Sequence, residues 1–396
     1  MAKAKHLVCA MSGGVDSSVA AWILKSKGFR VTGLFMRNWD VLDETGMCTA
    51  DRDCEDAQNA CDILQIPFHQ VNFVQEYWHD VFSDFLKQYQ QGFTPNPDIL
   101  CNKYIKFDKF LDHAMTKYDA DGLATGHYAQ TSIGEQFLYD KNSAARGVKL
   151  LKALDSWKDQ TFFLSQITQK ALGKTLFPLG HLTKDIVKRI ANEVGLKRAA
   201  QRKESMGICF IGRRHFQTFI KEYLEPKQGT FISVENDTVV GEHQGHFLFT
   251  LGQGANIGGM KERWFVVDKD AENNTIFVAP STRHPALFHE TFMTGPVHWI
   301  HQAPRELIED QMMDCDFRFQ HVHGLTKCTL TLSSMGSVIV SLSKPMRALT
   351  PGQFAVFYHG DECLGSAVIM KRGPSLYEMN WKKYQSGEWK TEWLNS

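Results

Sequence analysis

Ser12-Gly13-Gly14-Val15-Asp16-Ser17-Ser18 follows a short apolar run, Leu7 to Met11, and leads into a helical pattern. A buried strand, a glycine-rich turn and a helix start together present backbone N–H groups to an anion. Two glycines let the chain turn tightly and approach a ligand closely. Ser12, Ser17 and Ser18 can donate to phosphate oxygens. Asp16 fits a helix cap, or a partner to Mg²⁺ riding on a nucleotide. The plainer alternative is a strand-to-helix turn with no ligand. A Walker loop is excluded, because no Gly-Lys-Ser/Thr closes the motif.

Outward from this turn, residues 6–11 read as a buried strand. Residues 16–27 read as a helix with Val19, Ile23 and Leu24 on one face and Gly28 as its stop, and Arg30 to Met36 as a second strand. Two strands around one helix make a βαβ start with parallel pairing. Asn38-Trp39-Asp40 opens an acidic loop, followed by a helix at about 53–64, a strand at 68–73 and an aromatic-rich helix at 76–90. After the break Gly92 to Asp98, a new helix is expected from about Cys101. The strand 121–125 ends at Gly126-His127-Tyr128, where an open parallel sheet faces its ligand. Residues 132–149 are weakly patterned and read as a flexible excursion. A short helix or turn at 161–164 and helices at 168–174, 183–194 and 214–223 complete this part.

Composition shifts after Pro226. Segments 229–240, 246–251, 264–268 and 275–279 are strand-like, with Gly, Asn and Asp turns between them. Pro285 to Phe292 reads as a linker. Segments 326–333, 337–343, 353–358 and 363–370 suggest a small β-barrel. The expected class is α/β: a parallel-sheet domain at 1–225, a small β-rich central domain at 226–285, and a C-terminal β-barrel domain at 290–396.

A chain of 396 residues exceeds one ordinary core. Its 44 basic and 44 acidic residues balance, which argues against a bulk nucleic-acid binder but leaves local fields open. Those fields are uneven. Asp40 to Asp62 holds eight acids against Arg52 alone, and His181 to Gln228 holds eleven Lys/Arg against five acids. Such a chain suits ATP together with a polyanionic substrate. No apolar run of membrane-spanning length occurs, and no secretory signal or removable transit peptide is visible. Nine scattered cysteines fit a reducing compartment. Cys48, Cys54 and Cys61 lack zinc-site spacing, an iron–sulfur cluster has only weak support, and no metal ligand is assigned.

Three stretches converge on the carboxyl edge of the expected sheet: the Ser12–Ser18 loop, Met36 to Asp40, and Gly126-His127-Tyr128. Gly126 would let adenine or ribose come close. His127 would bind phosphate or cap a helix. In Thr94-Pro-Asn-Pro-Asp-Ile-Leu-Cys101, a helix N-terminus at Cys101 would lower the thiol pKa, although a buried inert thiol is the commoner case. Asp98 fits a cap or an acid–base group. Cys209 closes a basic stretch and is the candidate second thiol of a disulfide or persulfide relay. Lys103, Lys106, Lys109, Lys184, Lys188, Arg189, Lys197, Arg198, Arg202, Lys203, Arg213 and Arg214 are phosphate-contact candidates, with a solvated charged face as the ordinary reading of each.

The chain resembles the tRNA-specific 2-thiouridylase family, most of all its eukaryotic mitochondrial branch. The resemblance runs from His6 to about Tyr377. It rests on SGGVDSS (12–18), FMRNWD (35–40), TPNPDILCNKYIKF (94–107), ATGHYA (124–129), KDQTFFLSQ (158–166), ESMGICFIG (204–212) and PGQFAVFYHGDECLGSA (351–367). It implies a pyrophosphatase-loop, adenine nucleotide alpha-hydrolase-like domain. It also implies mitochondrial placement and ATP-dependent replacement of the 2-oxygen of a tRNA wobble uridine by sulfur. The implied partners are tRNAs of Lys, Glu and Gln type and a persulfide carrier protein, with ATP and Mg²⁺ as cofactors. Carried over, Ser12, Gly13, Gly14, Asp16, Ser17 and Ser18 bind pyrophosphate, with Met36, Gly126 and His127 completing the nucleotide site. Cys101 attacks the activated uridine, Cys209 carries persulfide sulfur, and Asp98 is the acid–base residue. Asn38 and Asp40 match a loop that contacts the tRNA or the carrier, and Lys158, Asp159 and Gln160 match the segment beside the substrate base. Of the basic stretch, Lys184, Lys188, Arg189 and Arg202 are the substrate contacts expected from charge. The chain departs from relatives at Glu204-Ser205-Met206 and at Gly254, where an Arg is usual.

Two rival readings stay open. Another pyrophosphatase-loop ligase, such as an amide ligase, needs no paired cysteines. A tRNA-binding protein without activity would show no ATP-dependent sulfur incorporation.

Overall fold

The computed structural model describes residues 4–40, 49–140, 142–145, 147–202, 208, 210–211, 214–321 and 324–379. Cys48, Lys203, Cys209 and Arg213 therefore lie outside the described residues. The first half supplies seven strands: β1 (His6–Met11), β2 (Arg30–Arg37), β3 (Phe68–Asn72), β4 (Gly122–Ala124), β5 (Gln130–Thr131), β6 (Leu150–Leu151) and β7 (Thr175–Leu176). Five of them form a parallel sheet in the order β3-β2-β1-β4-β7. Leu7, Val8 and Cys9 are fully buried, as the central strand of a sheet covered on both faces requires. Helix α1 (Val15–Ser26) returns the chain from β1 to β2, and α2 (Thr49–Leu64) from β2 to β3. The chain moves one way from β1 to β3 and then crosses to β4 on the other side of β1. This puts the switch crevice at the carboxyl ends of β1 and β4.

Two helical runs change pitch midway. Trp78–Phe82 is a π-helical turn between Val74–Tyr77 and Ser83–Gln90. Asn102–Lys109 is a second one, between Pro97–Cys101 and Phe110–Tyr118, with Phe107 non-helical at φ −103° and ψ 17°. π-turns of this kind occur often at functional sites. The helix expected from Cys101 starts four residues earlier. Asn96 caps it by accepting from the Ile99 N–H at 3.2 Å, and Pro97 takes the first position.

The central sheet comprises β8 (Gly229–Ser233), β9 (Val239–His243), β10 (Trp264–Asp270) and β11 (Thr275–Pro280), in the order β10-β11-β8-β9. The segment read as one strand over 229–240 turns back at Asp237, φ 57°. The strand expected at 246–251 is a 3₁₀ turn at His246–Leu248. Its ring nitrogens are tied to Asn274 (3.2 Å) and to the Gln90 carbonyl (3.1 Å), which bends the chain out of the sheet.

The last part holds β12 (Phe288–Pro296), β13 (His298–Trp299), β14 (Met312–Arg318), β15 (Thr326–Leu332), β16 (Ser337–Arg347), β17 (Phe354–His359) and β18 (Glu362–Arg372). Strands β12-β16-β15-β14-β17-β18 close into a six-stranded barrel through the β12–β18 pairing. The expected linker 285–292 is thus mostly barrel strand: Phe292 packs into the barrel core, and Phe288 packs with Leu287, Leu376 and Tyr377 beside it. The excursion at 132–149 is bounded by β5 and β6, which pair with each other, and β6 pairs with β18 at Leu151↔Glu362. A hairpin from the first half therefore extends the barrel's sheet.

Trp39, Tyr77, Trp78, Phe82, Phe85, Phe210, Phe219 and Tyr223 form an aromatic cluster beside the sheet. Phe82 lies at its centre, with ring centroids 4.8 Å from Trp39, 5.2 Å from Phe210 and 4.9 Å from Tyr223. Phe82→Ala should cost about 3–5 kcal/mol of stability, seen as a lower denaturant midpoint with an unchanged slope. A loss under about 1 kcal/mol would mean that the cluster collapses around the gap.

Candidate active site

The Ser12–Ser18 turn leaves β1 at the switch crevice. Gly13 holds φ +74°, and a side chain there would run into the Asp53 carbonyl. The Ser17 hydroxyl accepts from the Ser12 N–H at 3.1 Å and lies 3.1 Å from the Ser12 hydroxyl. Ser17 and Ser18 donate to the Gly14 carbonyl at 3.1 and 2.9 Å. These bonds fix the turn at the start of α1, and the first N–H groups of a helix have no partner within it. That is the cradle an oligophosphate requires.

Asp16 is not a cap. Its carboxylate accepts from the Lys184 ammonium at 2.8 and 2.7 Å and from the Tyr128 hydroxyl at 2.9 Å. Lys184 is 7 % exposed, so the sequence reading of it as an RNA contact is corrected: it is a cation of the loop site. Its helix, Lys184–Glu193, turns Lys188 and Arg189 to solvent while Val187 and Ala191 are buried. Arg202 reaches the same loop. It pairs with Asp53 and, at 3.0 Å, with Asp56, both on α2. Its guanidinium stands 2.9 Å from where a Gly13 side chain would begin.

Gly126 lies against the loop backbone. A β-carbon there would lie 2.6 Å from the Ser17 nitrogen and 2.8 Å from the Asp16 carbonyl carbon. His127 Nδ1 is 2.8 Å from the Thr125 hydroxyl, and its ring sits near Phe107 and Phe177. Burial, and secondarily Lys106, push its pKa well below the ordinary value, so the ring is neutral. Met36 is half-buried opposite Val71 in the β2–β3 ladder, and Asp40 is exposed.

Cys101 is buried at the end of the first α-helical turn, beyond the reach of a strong end-of-helix field. The Asn38 amide nitrogen lies 3.8 Å from its sulfur, so the end of β2 meets the thiol. The next residue, Trp39, packs against Phe210 at 5.3 Å. Arg214, expected on a charged face, instead donates to the Phe210 carbonyl at 2.8 Å and covers Phe219. Phe210, the neighbour of position 209, is thereby anchored two side chains from Cys101. Burial raises the Asp98 carboxyl above its ordinary pKa, with Lys106 opposing.

Of the 158–160 segment, Lys158 is half-buried. Asp159 is turned toward the barrel. It is 4 % exposed and accepts from Arg318 of the barrel at 2.6 Å, from the Thr161 hydroxyl at 2.8 Å and from the Ala153 N–H at 3.1 Å. Gln160 exchanges bonds with the Tyr128 backbone: its N–H donates at 2.9 Å, and its side-chain oxygen accepts at 3.0 Å. Tyr128 was only the last residue of a strand end in the sequence reading, and the Asn96 cap and the Lys184 partner were missed. An Asn before Pro-Asp signals the cap. Nothing local signals a pair 168 residues apart.

A parallel sheet whose switch crevice holds a serine- and glycine-rich strand-to-helix turn, with Lys184 and Arg202 against it, has the architecture of the ATP-using pyrophosphatase-loop class. Residues 5–213 match the family described as "tRNA methyl transferase HUP domain", 217–280 "tRNA methyl transferase PRC-barrel domain", and 289–369 "Aminomethyltransferase beta-barrel domain". The chain is 53% identical to the human "Mitochondrial tRNA-specific 2-thiouridylase 1", over 97% of this chain and 94% of that one. It is 54% identical to the chicken protein of the same name, over 96% and 95%. With "tRNA-specific 2-thiouridylase MnmA" of Legionella pneumophila the identity is 44%, over 93% and 98%. The chain belongs to the tRNA-specific 2-thiouridylase family.

Gly126→Ala should push the Asp16–Ser17 backbone aside and weaken ATP binding about tenfold or more. Titration calorimetry checks this, and an unchanged affinity would remove Gly126 from the site. Asp98→Asn removes a carboxylate that burial disfavours, so it should raise the thermal midpoint at pH 7. The difference should shrink as pH falls toward about 4, where the unfolded carboxyl also takes a proton. A midpoint difference that does not change with pH would contradict the raised pKa.

Proposed function

We propose that Ser12 to Ser18, Lys184 and Arg202 grip the pyrophosphate of ATP while Cys101 and Cys209 handle sulfur. The chain is an ATP-dependent tRNA-uridine 2-sulfurtransferase of the mitochondrion, acting on the wobble uridine. The observation that carries the division of labour is the packing at β2. Asn38 faces Cys101, and the adjacent Trp39 packs on Phe210, next to position 209.

The uridine leaves its stack, at a cost of a few kcal/mol that an open anticodon loop reduces. Its 2-oxygen attacks the α-phosphorus of ATP, and pyrophosphate departs toward the α1 N–H groups and the two cations. Mg²⁺ arrives on the nucleotide, and Asp16 would meet it only by sharing its carboxylate with Lys184. Cys101 and a Cys209 persulfide then exchange AMP for sulfur. In one route the persulfide sulfur attacks C2 directly; in the other it is first released. In either, the sulfane sulfur enters the base with its electron pair, and the two thiols are left as a disulfide that a reductant must reopen. Asp98, whose carboxyl burial holds above its ordinary pKa, suits proton delivery to a leaving oxygen. Lys188 and Arg189, on an exposed face, contact RNA phosphates. The substrates are tRNAs of Lys, Glu and Gln type, and a persulfide carrier protein supplies the sulfur. Among the described residues no helix is long and apolar enough to cross a membrane.

The test is incubation with ATP, Mg²⁺, a persulfide donor and unmodified tRNA, followed by mass analysis of the digested RNA. We expect 2-thiouridine, AMP and pyrophosphate from the native chain, and no thiolated base from Cys101→Ser or Cys209→Ser. Thiolation that survives both substitutions, or cleavage of ATP to ADP, would overturn the assignment.

A further inference from the structure

A chain of polar contacts runs from the outer face of the barrel, where it packs on the first domain, to the pyrophosphate loop. It starts at Arg318, the last residue of β14, which is almost fully buried. Its guanidinium donates to Asp159 at 2.6 Å and to the Tyr358 hydroxyl at 3.0 and 3.2 Å, and it lies over the Tyr358 and Phe162 rings. Asp159 uses its other oxygen on the Ala153 and Thr161 N–H groups, and its carbonyl lies 2.7 Å from His321 Nε2. The carboxylate is thus saturated, and the turn at 158–161 has no slack. The next residue, Gln160, is bonded twice to the Tyr128 backbone. Tyr128 in turn donates its hydroxyl to Asp16 at 2.9 Å, beside Lys184.

A second connection restrains Tyr128 from its other side. The chain passes from Tyr128 into β5, which is joined through β6 to β18 of the barrel. Tyr128 is therefore held at both flanks by the barrel while its side chain rests on the loop. Neither connection involves a residue exposed for RNA contact.

We propose that Arg318, although it belongs to the barrel, is a positioning residue for the nucleotide site. It acts through Asp159 and Gln160 to set Tyr128 against Asp16 and hence the Asp16–Lys184 pair against the pyrophosphate. The inference rests on the reading of Ser12–Ser18 as the ATP loop. It predicts that loosening a contact between the barrel and the first domain impairs ATP use more than RNA binding.

The test is a double-mutant cycle on the full chain, with Arg318→Met, Tyr128→Phe and the pair. ATP affinity is read by titration without RNA, the KM for ATP in the thiolation assay, and tRNA affinity separately. Tyr128→Phe should raise the KM for ATP severalfold, and Arg318→Met by about tenfold or more, with tRNA affinity within about twofold of native. The double variant should match the worse single variant rather than the product of the two. Arg318→Lys, which can still reach one Asp159 oxygen, should recover part of the loss. If Arg318→Met does not fold, Asp159→Asn replaces it in the same cycle with the same expected non-additivity. Effects that multiply, or a loss confined to tRNA affinity, would reduce Arg318 to a structural residue of the barrel and overturn the inference. Native protein that fails to bind ATP would overturn the reading of the loop itself, a result distinct from either.

Discussion

The Asp16 carboxylate, shared between the Lys184 ammonium and the Tyr128 hydroxyl, is the contact on which the site depends. It lies in the first turn of α1, where a negative charge is favoured by the helix field. The same field invites an anionic ligand, and an unpaired carboxylate there would repel it. Lys184 resolves the conflict by neutralising Asp16 and leaving the cradle's N–H groups to act on an oligophosphate. Arg202, held by Asp53 and Asp56, adds a second cation at the rim. Because both cations already have carboxylate partners, they are oriented before a nucleotide arrives, and little side-chain entropy remains to be lost on binding.

The barrel is not an appendage to this site. The Arg318–Asp159 pair is buried on both sides, and removing one partner of such a pair typically costs about 3–5 kcal/mol, because the other charge is left without compensation. Strand pairing between β6 and β18 adds a backbone join, and Gln166 donates to the Ser366 carbonyl and hydroxyl at 3.0 and 2.9 Å. An enzyme that acts on one base of a large RNA gains from such rigidity. A displacement of about 1 Å between the RNA-holding surface and the reacting atoms is enough to lose a large part of the rate.

Much of this was legible locally. The apolar run before Ser12, the period of α1 and the strand ending at Gly126 placed the parallel sheet and its crevice, because these signals depend on near neighbours in the chain. The bounds of Pro97–Cys101 were missed by about a turn. The cap at Asn96 and Pro97 outweighs the apolar pattern that begins later, and the correction removes the helix-end argument for Cys101. The segment 246–251 looked like a strand because it is apolar, but His246 is drawn to Gln90 of another unit. The true partners of Lys184 and Asp159 were not legible. Each basic or acidic side chain looks alike in sequence whether it is solvated or paired across 100 residues or more, and burial decides which. At Gly126, where the sequence suggests approach by adenine or ribose, the backbone of the loop comes close.

The β5–β6 hairpin also sets a timetable. Leu151 finds its ladder partner, Glu362, only after about 210 further residues have been made. At ribosomal rates of about 5–20 residues per second, the edge of β6 waits roughly 10–40 s. An unpaired strand edge over that interval is a template for wrong pairing. The chain keeps the exposed edge to two residues, Leu150 and Leu151, too short to nucleate a sheet of its own. The first unit can therefore acquire its parallel sheet early, but the turn that holds Tyr128 is secured only when the last barrel strand arrives. Catalytic competence is in this sense the final event of synthesis.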